Sequence, residues 1–498
     1  MRNRVSCLFV LLVSARAFAQ PGSLDQSYGV GGWAIIPSDF FMDCESRAIA
    51  LAEDGSSYVV GACLSNPDIR VAHLDVNGQL DMAYGTDGIA TIDIDPGMMD
   101  DPARGAAVLP DGKLLIGGSA TAGPPGDLFT LVKLLPDGSL DGSFATNGVL
   151  QLNFSNQDDQ ANGMLILSSG KILLYGVQVG GGPNPLVVRL NADGTLDTTF
   201  NGTGSRILYA GLVAQARDAV ELPDGRIVVC GESTTTAWAV RILTTGLIDP
   251  NFPLQHFSFN DGTWLEGLGI AAKADGRYVL TGQMSNGVYD LFAMGLTDTG
   301  ALDNDFGIDG SFRSTAVTFA EMHDVQCSSI DGSCRIIGRA YVDDTARVVV
   351  AKINDGGQLD AAYADGGIGA YDVGGGEEAY CSVVQNDGKL LVGGQAGGMF
   401  ALRLHDDLST HVPSVAFATS GSLSLYVDAD SWWLQLTEST GIARVELIDA
   451  LGRTAHDQRY NSSRSRIQLP TASLAPGSYL VRATQHGRTS VGRILVNR

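Results

Sequence analysis

A chain of 498 residues is long enough for more than one domain and a large buried core. Its 55 acidic residues against 32 basic ones leave a formal charge of −23 and a pI near 4.5. Such a surface repels phosphate backbones, so nucleic acid is excluded as a partner. Gly is dense (63 residues) and charge is sparse (17%), a balance that suits many short strands joined by tight turns.

Residues 1–19 read as a signal peptide. Arg2 and Arg4 form its basic start and Cys7 to Val13 a short apolar core. Ala17 and Ala19 are the small residues ahead of a cleavage before Gln20. The cysteines that remain enter an oxidising compartment. Beyond this leader no stretch is long and apolar enough to predict a transmembrane segment.

From residue 20 to 405 one phrase keeps returning: Leu-Asp, two free residues, an aromatic. It reads Leu24-Asp25-Gln26-Ser27-Tyr28, and recurs at Leu80/Asp81/Tyr84, Leu140/Asp141/Phe144, Leu196/Asp197/Phe200, Ile248/Asp249/Phe252, Leu302/Asp303/Phe306 and Leu359/Asp360/Tyr363. Repetition at intervals of about 52 to 60 residues is the mark of a propeller or a solenoid. Each unit also carries a hairpin turn, such as Asp54-Gly55, Asp111-Gly112-Lys113 or Asp387-Gly388-Lys389. Gly takes positive φ there and Asp bonds the turn backbone. Aliphatic runs such as Ile227-Val228-Val229 follow as strands, and a second turn, such as Asp193-Gly194, precedes each phrase.

Four strands per unit and seven units, without helical periodicity, predict an all-β fold: a seven-bladed β-propeller followed by a small C-terminal β-sandwich. The aromatic of each phrase is expected to wedge between blades, contributing about 2 kcal/mol of burial, and its Asp to cap the turn. A calcium loop at Asn191-x-Asp193-Gly194-x-x-Asp197 would need more oxygen donors than stand there. The strand Trp33–Ile36 has no blade of its own, while the last unit lacks a fourth strand. Joining the two closes the ring and removes the open edges of a linear solenoid, the other arrangement the repeats allow. The units resemble delta-60 repeats of secreted bacterial proteins over about residues 21–405. That resemblance implies an extracellular propeller and brings no catalytic residues.

Cys44 and Cys63 flank Asp54 as Cys327 and Cys334 flank Asp331, symmetric about the same point of the same hairpin. Both pairs are therefore expected as cross-strand disulfides, with Cys230 and Cys381 left as buried thiols. Acids gather before the first strand of most blades: Asp43, Glu45, Asp100, Asp101, Asp158, Asp159, Glu266, Glu321, Glu377 and Glu378. With small residues at Ala48, Gly105, Gly163 and Gly269 crowding the axis, these acids are expected to edge one mouth of the channel. There they form either a solvated rim offset by Arg47, Arg104 and Arg217, or a site for calcium or a cationic ligand. No other cofactor is expected. Motifs for a nucleophile elbow, zinc protease, phosphate loop or redox Cys pair are absent, and no His, Lys or Tyr is expected at matching blade positions.

After a polar linker at 406–420, residues 421–498 read as the β-sandwich, with Trp432 and Trp433 in its core. Asp449-Ala450-Leu451-Gly452-Arg453, the Leu474-Ala475-Pro476-Gly477-Ser478-Tyr479 phrase and the basic-aliphatic last strand resemble the C-terminal sorting domain of the type IX secretion system of Bacteroidetes. An adhesive sandwich is the other use of such a fold. The resemblance implies passage through the periplasm, the secretion machinery as a partner, and a place in the medium or on the outer cell surface. The expected role is binding or scaffolding of an extracellular glycan, peptide or cation. A secreted lyase or hydrolase acting on a polymer is the alternative, disfavoured by the missing acid/base set.

Overall fold

The computed structural model describes residues 20–37, 44–63, 66–94, 103–121, 126–209, 213–259, 263–285 and 289–406, and the tail strands between 423 and 496. The leader at 1–19 and most of the linker lie outside the described residues. The chain divides into two compact units, Met1–Ser409 and Thr410–Arg498.

In the first unit each repeat folds into an antiparallel four-stranded sheet. Blade one is Cys44–Leu51, Ser57–Cys63, Asn66–Leu74 and Ile89–Ile92, paired in that order. Its first strand is innermost, as are Ala103–Val108, Asp159–Ile166, Ala214–Glu221, Trp264–Ala272, Thr318–Cys327 and Glu378–Val384 in the blades that follow. Each of these seven strands packs on the next, and the last packs on the first, so the array is a closed ring. Closure is made as expected: Trp33–Ile35 is the outer strand of blade seven, with Trp33 opposite Leu402 and Ile35 opposite Phe400. One backbone bridge, Gln283 to Glu321, also ties blade five to blade six.

Among the described residues of this unit the hydrophobic core forms seven clusters, each shared by two adjacent blades. The phrase aromatics sit in these clusters, and Tyr28, Tyr84, Phe200, Phe252, Phe306 and Tyr363 are almost wholly buried. Each ring lies against a glycine in a turn of the next blade. A Cβ on Gly300 would stand 2.0 Å from the Phe252 ring, and one on Gly78 would meet Tyr28 at 2.8 Å. The backbone repeats the link, since Gly29 N donates to Asn77 O (2.6 Å) and Gly307 N to Gly356 O (2.7 Å).

The phrase Asp caps its turn as expected; Asp197 Oδ1 accepts from Thr199 N (3.1 Å) and Oγ1 (2.6 Å). It also anchors buried charge. Asp197 accepts from Arg189 and Lys171, Asp249 from Arg241 and Arg226, and Asp25 from Arg403 and Lys389. Burial opposes ionisation of Asp25 and Asp197, yet these bonds outweigh it and hold both well below the usual carboxylate range. The guanidinium groups of Arg189 and Arg403 in turn lie 4.5 Å from the rings of Phe200 and Tyr28.

Both expected disulfides are present, Cys44–Cys63 and Cys327–Cys334, each between directly opposed residues. The two hairpins are not in the same register at their tips. Ala52 N pairs Ser56 O in blade one, whereas Ser328 N pairs Ser333 O across a longer loop in blade six. A bulge between Ser46 and Ala48 restores the register that brings Cys44 opposite Cys63. Cys230 is buried and free; Cys381 is free but only partly buried, a correction to the expectation. Asp406, which the sequence assigns to the linker, belongs to the propeller as the buried ion-pair partner of Arg335.

The second unit has a three-stranded sheet (Leu423–Asp428, Ser431–Leu436, Arg466–Gln468) and a four-stranded one. The latter orders as Thr454–Asn461, Ile442–Asp449, Gly477–Gln485 and Arg488–Val496, and Val445, Leu447 and Val481 are buried. Trp432 and Trp433 fall on the strand Ser431–Leu436, and the expectation for their side chains lies outside the described residues.

Candidate functional site: a ring of seven bulges

Every innermost strand carries a β-bulge at the same place. The register breaks between Ser46 and Ala48, Ala103 and Gly105, Ala161 and Gly163, Ala216 and Asp218, Gly267 and Gly269, Met322 and Asp324, and Ala379 and Cys381. The unpaired residue is in turn Arg47, Arg104, Asn162, Arg217, Leu268, His323 and Tyr380. A bulge re-aims its side chain, and all seven line one cavity of about 260 Å³ at the centre of the ring. The second strand makes room with a glycine. A Cβ on Gly61, Gly176, Gly231, Gly282, Gly338 or Gly394 would come within 2.1 Å of the carbonyl oxygen two residues before the bulge.

The cavity is unevenly furnished. Arg47 grips Glu45 with two bonds (2.7 and 2.8 Å) and lies 3.6 Å over the Tyr380 ring. Arg217 pairs with Glu232 at 2.7 Å. Arg104 meets no acceptor among the described residues. Burial, then the positive charges of Arg47 and Arg217, lower its pKa to about 10. Opposite these, His323 Nε2 is 3.0 Å from Glu378 Oε1 and its ring meets Tyr380 edge-on at 5.0 Å. Arg339 bridges Glu321 (2.9 Å) and Glu378 (2.8 Å). Burial would raise Glu378, but the His323 hydrogen bond and the charges of His323 and Arg339 prevail and lower it.

Deeper in, the residues after two bulges are acids. Burial and the charge of Asp324 push Asp218 up to about 7, although Ile270 N (2.8 Å) and Tyr175 Oη (3.2 Å) donate to it. Asp324, also raised by burial, accepts from Ser382 Oγ at 2.6 Å. Burial and the neighbouring Glu232 raise Glu266 above the usual carboxylate range and so favour its protonated form.

The expected acidic rim is thus sorted into different fates. Asp43, Asp100 and Asp101 lie outside the described residues. Glu45 pairs with Arg47, Glu321 and Glu378 pair with Arg339, and Glu266 stands beside Glu232. Asp158 is exposed beside the outer loop at Asp127, whose N donates to it (3.2 Å). Asp159 and Glu377 are corrections: both are fully buried, taken up by backbone amides of their own loops, with Arg347 also on Glu377. Phe154 N and Ser155 N donate to Asp159 (2.7 and 2.9 Å), and Val373, Gly374 and Gly375 N to Glu377. Among the described residues, Glu321, His323 and Glu378 converge within 4.8 Å, as a metal would require, with Arg339 already across the two carboxylates.

The expectation that no His or Tyr stands at a matching blade position is overturned. Tyr380 stands seven residues before Asp387, as Arg47 does before Asp54. His323 escapes the same count because its hairpin loop is one residue longer. The signal that locates the whole ring is the glycine in each second strand, which the repeats show at Gly61, Gly118, Gly176, Gly231, Gly282, Gly338 and Gly394.

Fold and cavity define an all-β, seven-bladed propeller whose axis holds a polar pocket. Residues 109–144, 167–200 and 222–252 match the family described as domain of unknown function (DUF5122) beta-propeller, so the units are repeats of the delta-60 type. Residues 428–497 match the secretion system C-terminal sorting domain, and the tail is a type IX sorting domain. The protein is therefore exported to the cell surface or the extracellular space, and no described helix is long and apolar enough to cross a membrane. No curated protein matches the chain. Similar solved structures include YCF48 bound to D1 peptide, at 12% identity over 78% of this chain and 100% of that one, with a TM-score of 0.43. An ulvan lyase of polysaccharide lyase family PL25 is 12% identical over 74% and 96%, TM-score 0.44. Sqt1 from Chaetomium thermophilum is 10% identical over 79% and 99%, TM-score 0.36.

Proposed function

We propose that this exported propeller is a binding protein that takes an anionic group, a carboxylate or a sulfate, into its central cavity. The observation that carries the reading is Arg104. Its guanidinium lies near two like charges and meets no acceptor among the described residues, so an anion beside it would be stabilised. Arg47 and Arg217 retain donors beyond those their glutamates occupy, and Arg offers paired donors matched to a planar oxyanion.

Thermal unfolding of residues 20–498 in sodium sulfate and in sodium galacturonate, against sodium chloride of equal ionic strength, tests this. Saturation at about 100 times Kd should stabilise by about 2.7 kcal/mol. Arg104→Ala should abolish the gain. Equal responses to all three salts in the native protein would end the proposal.

His323 supports a second reading as an enzyme, because Glu378 and Tyr380 orient it beside the arginines in the manner of a general base. Appearance of unsaturated uronate absorbance on a polyuronate, lost in His323→Ala, would favour it. A calcium site at Glu321, His323 and Glu378 would have to displace Arg339 and accept a nitrogen donor, which calcium disfavours.

A further inference from the structure

On the face where the innermost strands begin, blades five and six carry an arc of aromatic side chains that the hydrophobic core does not use. Tyr289 and Phe319 stack at 5.9 Å with 26° between their planes, and Tyr341 meets Phe319 edge-on at 5.4 Å. Phe319 is 56% exposed and Tyr341 37%. Trp264, the first residue of its strand, is fixed by its Nε1 donating to Thr234 O at 3.0 Å. Phe319 has φ +49°, in the left-handed region that a bulky residue enters only at a cost, next to a second register break between Thr318 and Glu321. The backbone is bent in a way that holds a phenyl ring toward water, where burial would otherwise favour it.

The arc is linked to the cavity through Arg339, Glu378 and His323. Tyr341 is two residues along its strand from Arg339, which bonds Glu378, the partner of His323. The Gln283 to Glu321 bridge locks the two supporting blades together. Resting on the anion-binding reading, we infer that the ligand is an acidic polysaccharide. One carboxylate or sulfate enters among the arginines, and neighbouring pyranose rings lie by their apolar faces on Phe319, Tyr341, Tyr289 and Trp264. An acidic peptide is the lesser fit. The strand bearing Tyr341 is paired on both edges, so no backbone ladder is free there to take a peptide strand.

The experiment is calorimetric titration of residues 20–498 with galacturonate oligomers of one, two, four and six units. Chondroitin sulfate oligomers, neutral dextran and poly-glutamate serve as comparison probes. Affinity should rise at least tenfold from monomer to hexamer for one of the two acidic sugar series, and dextran should not bind. Phe319→Ala with Tyr341→Ala should remove that rise while leaving the monomer unaffected; Phe319→Tyr should retain it. Arg104→Ala should weaken every length. Monomer binding without a length dependence would overturn the platform and leave the anion cavity standing. Poly-glutamate binding as tightly as the acidic sugars, indifferent to the aromatic variants, would replace the polysaccharide with a peptide. Failure of every acidic probe, monomers included, would refute both.

Discussion

The wedge between blades four and five offers a test of what holds the ring together. Phe252 is fully buried, with Tyr278 edge-on at 5.6 Å and the Arg241 guanidinium 5.4 Å from its ring. Phe252→Ala should cost about 3–5 kcal/mol through lost burial and the cavity left behind. Gly300→Ala approaches the same contact from the other side. Its φ of +80° alone costs an alanine about 1 kcal/mol, and the new Cβ, 2.0 Å from the ring, adds about 1–3 kcal/mol of overlap. The three atoms nearest that Cβ all belong to the Phe252 ring, so removing the ring removes the closest overlap. The double variant should therefore cost at least about 1 kcal/mol less than the two single costs together. Urea unfolding of residues 20–498 measures all three. For a unit of roughly 390 residues, unfolding entropy near 0.8 kcal/mol per kelvin converts the Phe252→Ala cost to a Tm drop of about 4–6 °C. Additive costs, or a Phe252→Ala cost below about 1 kcal/mol, would refute the wedge.

Three further outcomes are expected. Asp218 titrates near 7 in the fold and near 4 unfolded, so the folded state holds the extra proton between those values and stability falls as pH rises through them. Melting at pH 5 and pH 8 should differ less in Asp218→Asn than in the native sequence, the difference having a ceiling of about 2.6 kcal/mol over that interval. Loss of the Cys44–Cys63 bridge, which spans 19 residues, should destabilise by about 3 kcal/mol, and loss of Cys327–Cys334, spanning 7, by about 2 kcal/mol. Intact mass before and after reduction should differ by four hydrogens. A propeller ending at Ser409 should melt like residues 20–498 and remain in the periplasm of its host, whereas one ending at Leu404 should lose several kcal/mol because Arg335 stays buried without Asp406.

Much of the architecture is legible because it rests on local chemistry repeated seven times. The phrase at Leu196-Asp197-x-x-Phe200 declares a turn, a cap and a wedge within five residues, and hairpin glycines such as Gly225 declare positive φ. Even the two disulfides follow from spacing, because opposed positions in a hairpin are a matter of counting. The counting fails where the loop lengthens: a register one residue off hid His323, though it left Cys327 opposite Cys334.

The charge pattern shows the other limit. Acids before each first strand suggest a negative mouth, but a carboxylate serves whichever donors reach it first. For Asp159 and Glu377 those are amides of their own loops, and for Glu45 it is Arg47, two residues away. Sequence alone determined the propeller, its closure, its cross-links and its export tail, since each depends on neighbours in the chain or on strict repetition. Which side chains face one another across the axis was decided only by the tertiary structure. Arg104, Arg217 and His323 lie on different blades more than a hundred residues apart, and only ring closure and the seven bulges direct them into one cavity.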